Sequence, residues 1–350
     1  MTHMVAHDPP QRTRLIVDVD TGIDDSLALV YLAASPTADV LAVCCSAGNV
    51  PTAQVTRNTL SWLDICGMTD VEVAVGADGP LVAPLMTTED THGPLGVGYA
   101  ELPASTRAVS DRSAAQTWVD LARKYPGEIV GLVTGPMTNL ALALRIEPAL
   151  PTLLRRLVIM GGSIDHPGNT TPTSEWNVAV DPESAKEVFD AFDGVPAGRE
   201  PIVCALGLTE QIEMHPSHLV RLAEIAGSVP VEHLSIDDRG ARSQASSTIV
   251  RHLTDAIRFY MEFHHSQGEG YLAHMHDPFA AALALHPEMA EYRQATIDVE
   301  LVGSLTRGTT VADRRGFWGR GPNAAIAVRT EAAAFFDHLL DTVGAFAAGR

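Results

Sequence analysis

The sequence predicts an α/β fold: a single domain with a mixed, mainly parallel, Rossmann-like sheet flanked by helices, plus a helical insertion. Short β-branched segments alternate along the chain with longer Ala- and Leu-rich segments of helical periodicity. The β-branched segments are continuously apolar, as expected of strands that helices cover on both faces. The composition, 46% hydrophobic and 19% charged, provides enough apolar surface for one large core.

Eight segments are predicted as strands and three stand out as helices. The strands are expected at residues 15–17, 40–45, 71–75, 129–133, 157–160, 202–205, 295–302 and 324–328. The helices are expected at residues 24–34, 113–124 and 182–192. Residues 1–13 are polar and predict a flexible tail before a domain of residues 14–350. Within that domain, residues 209–275 predict a helical insertion near the active site, with no strand from 216 to 275.

The charge balance excludes several classes of protein. With 24 basic and 43 acidic residues, the formal net charge is −19, which excludes a nucleic-acid polymer as partner. Neither of the two lysines, Lys124 and Lys186, follows a G-x-x-x-x-G pattern, so a P-loop is excluded. No signal-peptide core and no run of 18 apolar residues is present, so we expect a cytoplasmic protein without membrane contact.

Four aspartates lie within eight residues directly after the first predicted strand, in the segment DVDTGIDD at 18–25. A bound cation would relieve the repulsion between them. The carboxyl ends of parallel strands are also where open α/β sheets bind ligands. Helix capping explains one of the four at most. The segment therefore predicts a metal site or a catalytic site.

The spacing of these acids can be compared with two known kinds of acidic loop, the EF-hand and the D-x-D loop of phosphatases. An EF-hand starting at Asp18 would need an acid where Gly22 stands and a glutamate where Leu29 stands, so this class is excluded. A phosphatase of the D-x-D type begins with a similar strand and two aspartates, but it requires a later lysine for the phosphoryl group. Because both lysines are poorly placed, that class stays a minor alternative.

Other predicted strands end in glycines followed by amides or hydroxyls. These ends are SAGN at 46–49, TGPMTN at 134–139, GG at 161–162, GN at 168–169 and EWN at 175–177. Together with carboxylates and a hard cation, such neutral groups suit a polyhydroxylated neutral ligand such as a sugar.

A histidine-rich segment precedes the sequence HDPFA at 276–280. Four histidines lie within thirteen residues: His264, His265, His274 and His276. They invite a zinc hypothesis, but successive residues such as His264 and His265 point to different sides of a helix. We favour instead one histidine as an acid and Asp277 as an oxygen ligand of the same hard cation.

From about Arg14 onward, the chain resembles the inosine-uridine preferring nucleoside hydrolase family. The resemblance rests on segments in this order: DVDTGIDD, AGN, THG, VTGPMTNLA, MGG, GN, EWN, DPE, HDPFA and TRGTTVAD. It implies a single α/β domain, which agrees with the strand pattern. One departure is Thr21, which stands where the family usually has proline.

The resemblance implies calcium-dependent hydrolysis of the N-glycosidic bond of ribonucleosides, with release of free base and ribose. It implies that Ca²⁺ is held by Asp20, Asp25, Asp277 and the backbone carbonyl of Thr134. Asp20 would also be the general base acting on a metal-bound water. A homodimer or homotetramer is expected. A non-catalytic nucleoside-binding module is the main alternative, which the presence of both Asp20 and His276 disfavours.

The resemblance also assigns residues to the substrate. Asp24, Asn49 and Asn177 would bind the ribose 2′- and 3′-hydroxyls. Asn169 and Glu175 would bind the 5′-hydroxyl, and His276 would assist departure of the base. His92 is expected to flank the base, and further candidate base contacts are Tyr260, Phe263 and Tyr271.

Overall fold

The computed structural model describes residues 12–348 and 350. Over these residues the chain forms eleven strands and thirteen α-helices. The strands are β1 (Thr13–Val19), β2 (Ala38–Cys45), β3 (Glu72–Val75), β4 (Ile129–Val133), β5 (Leu154–Met160), β6 (Ile202–Cys204), β7 (Glu213–Met214), β8 (Ala273–His274), β9 (Ala290–Val299), β10 (Thr310–Asp313) and β11 (Ala324–Thr330). The helices are α1 (Ile23–Ala34), α2 (Thr52–Ile65), α3 (Glu89–His92), α4 (Ala114–Lys124), α5 (Thr138–Ile146), α6 (Leu150–Leu153), α7 (Trp176–Val180), α8 (Pro182–Ala191), α9 (Leu206–Thr209), α10 (Pro216–Ile225), α11 (Thr248–Ser266), α12 (His276–Leu285) and α13 (Ala332–Ala347).

Nine strands form one sheet in the order β10-β9-β11-β6-β5-β4-β1-β2-β3. The pairs from β3 across to β11 are parallel, whereas β9 runs antiparallel to both β11 and β10. The predicted mixed, mainly parallel sheet is therefore confirmed. Its strand order reverses direction between β1 and β4. In open α/β sheets, a reversal of this kind leaves a crevice beyond the carboxyl ends of the two strands.

The central strand β1 shows why helices are needed on both faces of the sheet. Successive side chains of a strand point to opposite faces. Leu15 and Val17 accordingly belong to the hydrophobic core on one face, and Ile16 to the core on the other. All three side chains are buried. This double burial explains why the strand is apolar throughout.

Two helical layers cover the sheet. On one face, α1 packs against α12 and α13, and α11 packs against α1. On the other face, α4 packs against α5, and α5 packs against α8. The first turns of α1 and α12 lie side by side, because Asp24 and Asp25 of α1 are close to Asp277 of α12.

The strand predictions are confirmed in position but need three corrections. The strand expected at 295–302 is β9, which ends at Val299 because the chain turns back there and Gly308 N–H donates to the Glu300 carbonyl. The returning strand β10 was missed. The segment expected to lack strands contains β8, which pairs with β7. A strand of two residues has no periodicity that a sequence could reveal.

The remaining expectations concern the ends and the insertion. The predicted tail falls mostly outside the described residues, and the chain is already in β1 at Thr13. Helices α10 and α11 lie where helices were expected between residues 209 and 275. Within the part of the chain that the structure describes, no helix has the length and hydropathy needed to cross a membrane.

Candidate active site

A cavity of about 450 Å³ opens at the carboxyl edge of the sheet, beside the reversal between β1 and β4. Its lining includes residues that come shortly after strands: Asp20 after β1, Asn49 after β2 and Thr134 after β4. Side chains from α1, α3, α7, α11 and α12 and from the loops between elements form most of the rest. Among the described residues that line the cavity, none is a lysine or an arginine.

Four buried aspartates meet at the bottom of this cavity. Asp24, Asp25 and Asp277 each place a carboxylate oxygen within 4.8 Å of the other two. The carboxyl group of Asp25 also lies within hydrogen-bonding reach of Asp20. None of the four is more than 4% exposed. The structure thus brings Asp277 to the acids of the first strand, as the sequence analysis expected, and it places Asp24 in the closest group of three.

The negatively charged forms of these aspartates are unfavourable in their surroundings. Burial raises the pKa of all four carboxyl groups. Repulsion from the neighbouring carboxylates raises the pKa of Asp20 and Asp277 further, and that of Asp24 to about 7. Since no basic side chain lines the cavity in the described residues, the ionised cluster needs a cation to offset its charge.

The donor atoms fit a hard divalent cation, which prefers carboxylate and carbonyl oxygens. Thr134, the expected carbonyl ligand, lies beside the cluster and donates its hydroxyl to Asp25 Oδ1 at 2.7 Å. Its carbonyl oxygen accepts a hydrogen bond of 2.7 Å from Asn177 Nδ2. Because a carbonyl oxygen has two lone pairs, this bond leaves one pair available for a cation.

The segment after β2 fixes the orientation of Asp20. The backbone N–H of Asn49 donates to Asp20 Oδ2 at 2.8 Å. A Cβ atom at Gly48 would lie only 2.1 Å from the same oxygen, so a side chain there would displace the carboxylate. The Asn49 side chain approaches Asp25, with 3.5 Å between Nδ2 and Oδ2. The glycine and the amide of AGN are therefore explained by the position of the carboxylates.

The turn from β1 into α1 is held without the family's usual proline. The hydroxyl of Thr21 is 2.6 Å from that of Thr59, and the two share a buried hydrogen bond. The N–H of Gly22 donates to Asp25 Oδ2 at 2.8 Å. The N–H of Ile23 donates to His92 Nδ1 at 3.0 Å. Burial lowers the pKa of His92 to about 3, so this histidine is a neutral acceptor.

Glu175 and Asn177 form the wall next to Thr134. Glu175 caps α7, since its Oε1 accepts the N–H of Asn177 at 2.8 Å and its Oε2 accepts the N–H of Val178 at 3.1 Å. Oε2 also accepts the N–H of Gly162 at 2.9 Å. These bonds fix the orientation of the carboxylate beside the cavity. Burial raises the pKa of Glu175, and the three backbone N–H donors partly offset this rise.

Asn169 lies at the open end of the cavity and is exposed. Its Oδ1 accepts the backbone N–H of Trp176 at 3.0 Å. All eight side chains predicted for catalysis or substrate binding line one cavity: Asp20, Asp24, Asn49, His92, Asn169, Glu175, Asn177 and His276. Their individual roles stay predictions.

His276 begins α12, next to Asp277, and lines the same cavity. Its Nδ1 is 2.8 Å from the hydroxyl oxygen of Thr209. Burial lowers the pKa of His276 well below its usual range, and the nearby His274 and His264 lower it further. The ring is therefore a neutral imidazole, and the hydrogen bond at Nδ1 leaves Nε2 as the nitrogen for a ligand.

The histidine side of the cavity contains groups that the sequence analysis did not use. Tyr260 and Phe263 line the cavity, whereas Tyr271 is not among its described lining residues. Lining residues that were not predicted to act include Thr88, Thr91, His166, Glu210, His264, Gln267, Glu269 and His274. The cluster of histidines was a visible signal, but nothing in the sequence indicates that Glu269 or Glu210 turns toward it.

Asp18 and Asn139 do not belong to the cavity. Asp18 accepts a 2.8 Å hydrogen bond from Trp118 Nε1 and a 3.0 Å bond from Asn139 Nδ2. All three residues are buried. Of the four aspartates in that segment, Asp18 therefore lies outside the site: it is still within β1 and faces Trp118, whereas Asp20 follows the end of the strand.

Fold and site together define an α/β protein with an acidic cation site and a pocket for a small polar ligand. The sequence model described as inosine-uridine preferring nucleoside hydrolase matches residues 15–337. The chain therefore belongs to the inosine-uridine preferring nucleoside hydrolase family.

Known relatives cover nearly the whole chain. A pyrimidine-specific ribonucleoside hydrolase of Escherichia coli is 34% identical over 334 residues, which are 95% of this chain and 99% of the relative. A solved purine-preferring ribonucleoside hydrolase from Gardnerella vaginalis is 26% identical with a TM-score of 0.85, covering 97% of this chain and all of the other. A plant nucleoside hydrolase is 26% identical with a TM-score of 0.83, covering 95% and 99%.

Proposed function

We propose that this chain hydrolyses the N-glycosidic bond of ribonucleosides to free base and ribose, with Ca²⁺ as its metal. The observation that carries the proposal is the meeting of Asp24, Asp25 and Asp277 beside Asp20 at the bottom of the cavity. Family membership and the named activities of the relatives support the reaction class. The lack of lysine and arginine among the described lining residues disfavours phosphoryl transfer.

The ligands proposed for Ca²⁺ are Asp20, Asp25, Asp277 and the carbonyl of Thr134, with Asp24 beside them. When bound, the ion supplies positive charge that lowers the pKa of water and binds vicinal sugar hydroxyls. The chain contributes an all-oxygen donor set whose repulsion this charge offsets. Asn49 and Asn177 add amide groups at the same depth for the ribose hydroxyls.

Asp20 is proposed as the general base that takes a proton from the attacking water. The N–H of Asn49 fixes Asp20 Oδ2 at 2.8 Å, so the carboxylate is held in place before substrate binds. Burial and neighbouring carboxylates raise the pKa of Asp20 in the absence of a cation. The charge of a bound cation would offset this rise and keep the carboxylate ionised, so that it can accept a proton. As the bond to the base breaks, positive charge grows on the ribose, and the surrounding carboxylates stabilise it.

His276 is proposed to assist departure of the base. If the Thr209 hydroxyl donates to Nδ1, the ring proton resides on Nε2 and is available to the leaving base. Because the pKa of His276 is lowered, the residue acts as a neutral donor and not as an imidazolium. Such a donor assists most where the leaving base carries negative charge in the transition state.

Asn169 and Glu175 are proposed for the 5′-hydroxyl, and His92 for a face of the base. We propose ribonucleosides as a class of substrate, since one relative is named pyrimidine-specific and another purine-preferring. Tyr260 and Phe263 offer flat apolar surface to either kind of base. A homodimer or homotetramer in the cytoplasm is part of the same proposal, through the family resemblance.

A panel of ribonucleosides tests the proposal, with released ribose measured by a reducing-sugar assay. We expect turnover of at least one ribonucleoside and poor turnover of its 2′-deoxy analogue, because a missing hydroxyl leaves buried polar groups unpaired. Tight binding of nucleosides by calorimetry without any product would instead establish a binding module. Equal rates with the deoxy analogue would contradict the assigned ribose contacts.

A further inference from the structure

Three side chains outside the acidic cluster form a second group of metal-type donors on the cavity wall. His264 in α11, Glu269 in the loop after it and His274 in β8 each place one atom within 4.8 Å of the other two. Glu269 Oε2 lies 2.7 Å from His264 Nδ1 and 3.3 Å from His274 Nε2. One carboxylate oxygen therefore lies between two imidazole nitrogens.

The backbone fixes this arrangement. The spacing is His-x₄-Glu-x₄-His, and α11 ends two residues after His264. The loop then turns through Gly268 and Gly270, whose φ angles of +84° and +108° favour glycine. This turn returns Glu269 to the last turn of the helix, while pairing of β8 with β7 holds His274.

Hydrogen bonding to Glu269 satisfies only one nitrogen of each ring. The other nitrogens, His264 Nε2 and His274 Nδ1, are buried without a hydrogen-bond partner among the described residues. Both histidines are more than nine-tenths buried, whereas Glu269 is exposed. The three facing donor atoms lie within 4.8 Å of one another. A metal ion there would replace the protons shared with Glu269, and each ring could carry its proton on the nitrogen that has no partner.

We propose that His264, Glu269 and His274 form a second metal site, which binds a borderline transition-metal dication such as Zn²⁺ in preference to Ca²⁺. Two imidazole nitrogens and one carboxylate oxygen are a common donor set for Zn²⁺ with an open fourth position. Calcium and magnesium instead require oxygen donors throughout. All three residues line the cavity, so an ion reaches them from solvent through the same opening as the substrate.

The two sites of the cavity therefore differ in donor chemistry. The acidic cluster is all oxygen, and the histidine group is mostly nitrogen. The proposal of a second metal site does not rest on nucleoside hydrolysis, because Zn²⁺ affinity is measured without substrate, so the failure of one proposal leaves the other intact.

The test is a titration of the full-length protein with Zn²⁺, in which binding is measured by calorimetry. Saturating Ca²⁺ is present throughout and keeps the acidic cluster occupied. We expect one tight equivalent per chain. Glu269→Gln and His274→Gln should each raise the Kd by about tenfold or more, because each removes one of three ligands. His265→Gln is the matched control: it removes an exposed imidazole one residue further along α11 and should leave the Kd unchanged.

Visible absorption of the Co²⁺-substituted protein gives an independent measurement. Intense bands of a four-coordinate ion, lost in Glu269→Gln, are expected; weak octahedral bands would overturn the proposal. Equal Zn²⁺ affinity in the wild type and in Glu269→Gln would also overturn it, as would an equal loss in His265→Gln. Should His274→Gln fail to fold, Glu269→Gln carries the test, because it changes one exposed loop side chain to an amide of the same size.

Discussion

The two walls of the cavity are built in different ways. The acidic wall consists of residues that directly follow strands or begin helices, so each side chain is placed by the sheet itself. The histidine wall depends on the end of α11, a glycine-containing loop and a strand of two residues. Functional residues at the ends of strands can therefore be predicted from the sequence, whereas a group of residues brought together by loops is found only in the folded structure.

The walls also differ in charge. Burial and repulsion raise the pKa of the carboxyl groups, so the acidic wall calls for a cation. Burial lowers the pKa of two other residues that line the cavity, His92 and His276, so both rings are neutral. In the proposed complex, the sugar of the ribonucleoside therefore meets the charged acidic wall, and its base meets neutral histidine rings.

The largest expected effect comes from Asp20→Asn, which removes the proposed base and keeps the shape of the side chain. We expect kcat to fall by about 10²–10⁴-fold or more, since general-base catalysis typically contributes that much. Turnover of a ribonucleoside is the measurement. Asp18→Asn is the matched control, because Asp18 is equally buried but bonded to Trp118 and Asn139 outside the cavity. Near-normal activity of Asp20→Asn would refute its assignment as base.

Removal of the cation is expected to be nearly as damaging. Chelation should lower activity by about 100-fold or more, because the carboxylates then repel one another and the water loses its activation. Added Ca²⁺ should restore the rate, and Asp277→Asn should require a higher Ca²⁺ concentration for half-maximal activity. Full activity in metal-free protein would show that the acidic wall works without an ion.

His276→Gln tests assistance to the leaving base separately from the chemistry of the acidic wall. For ribonucleosides we expect kcat to fall by about 100-fold, because assistance to the leaving base is lost. A 4-nitrophenyl riboside, whose leaving group needs no proton, should be cleaved at nearly the wild-type rate. Thr209→Val, which removes the partner of Nδ1, should show a smaller loss of the same kind. An equal loss on both kinds of substrate would place His276 in binding or structure and not in base departure.

Asn169→Ala is expected to have the smallest effect. Asn169 is exposed at the rim, and one neutral hydrogen bond contributes about 0.5–1.5 kcal/mol. The KM for a ribonucleoside should therefore rise by about two- to tenfold with kcat nearly unchanged. A 5′-deoxyribonucleoside should bind the variant and the wild type equally well. A further loss on that substrate would remove Asn169 from the 5′-hydroxyl.

How far the sequence predicted the site can be read from particular residues. Asp20, Asn49 and Thr134 were found because glycines, acids and amides followed apolar strands, and parallel strands end at one edge. Asp277 was joined to them by its donor chemistry, as an oxygen ligand of the same hard cation, and the family resemblance gave the same assignment. Asp18 was grouped with the site because its neighbours in sequence belong there, although alternation along β1 turns it toward Trp118.

Elements that lack a local pattern escaped prediction. β8 has two residues and is defined by its partner β7, and β10 is defined by the return of the chain after β9. The place of Glu269 depends on a loop conformation and on two histidines from other elements. Each of these features is a property of pairs of segments, which periodicity within one segment cannot reveal.

The first turns of α1 and α12 both carry aspartates of the acidic cluster. The positive ends of two helix dipoles therefore face the same carboxylates and offset part of their repulsion through the peptide backbone alone. This offset lowers the free-energy cost of bringing the acids together before an ion binds, so we expect the metal to be loaded onto the folded chain. Activity would then follow the free divalent metal concentration of the surroundings from moment to moment, and not its supply during synthesis.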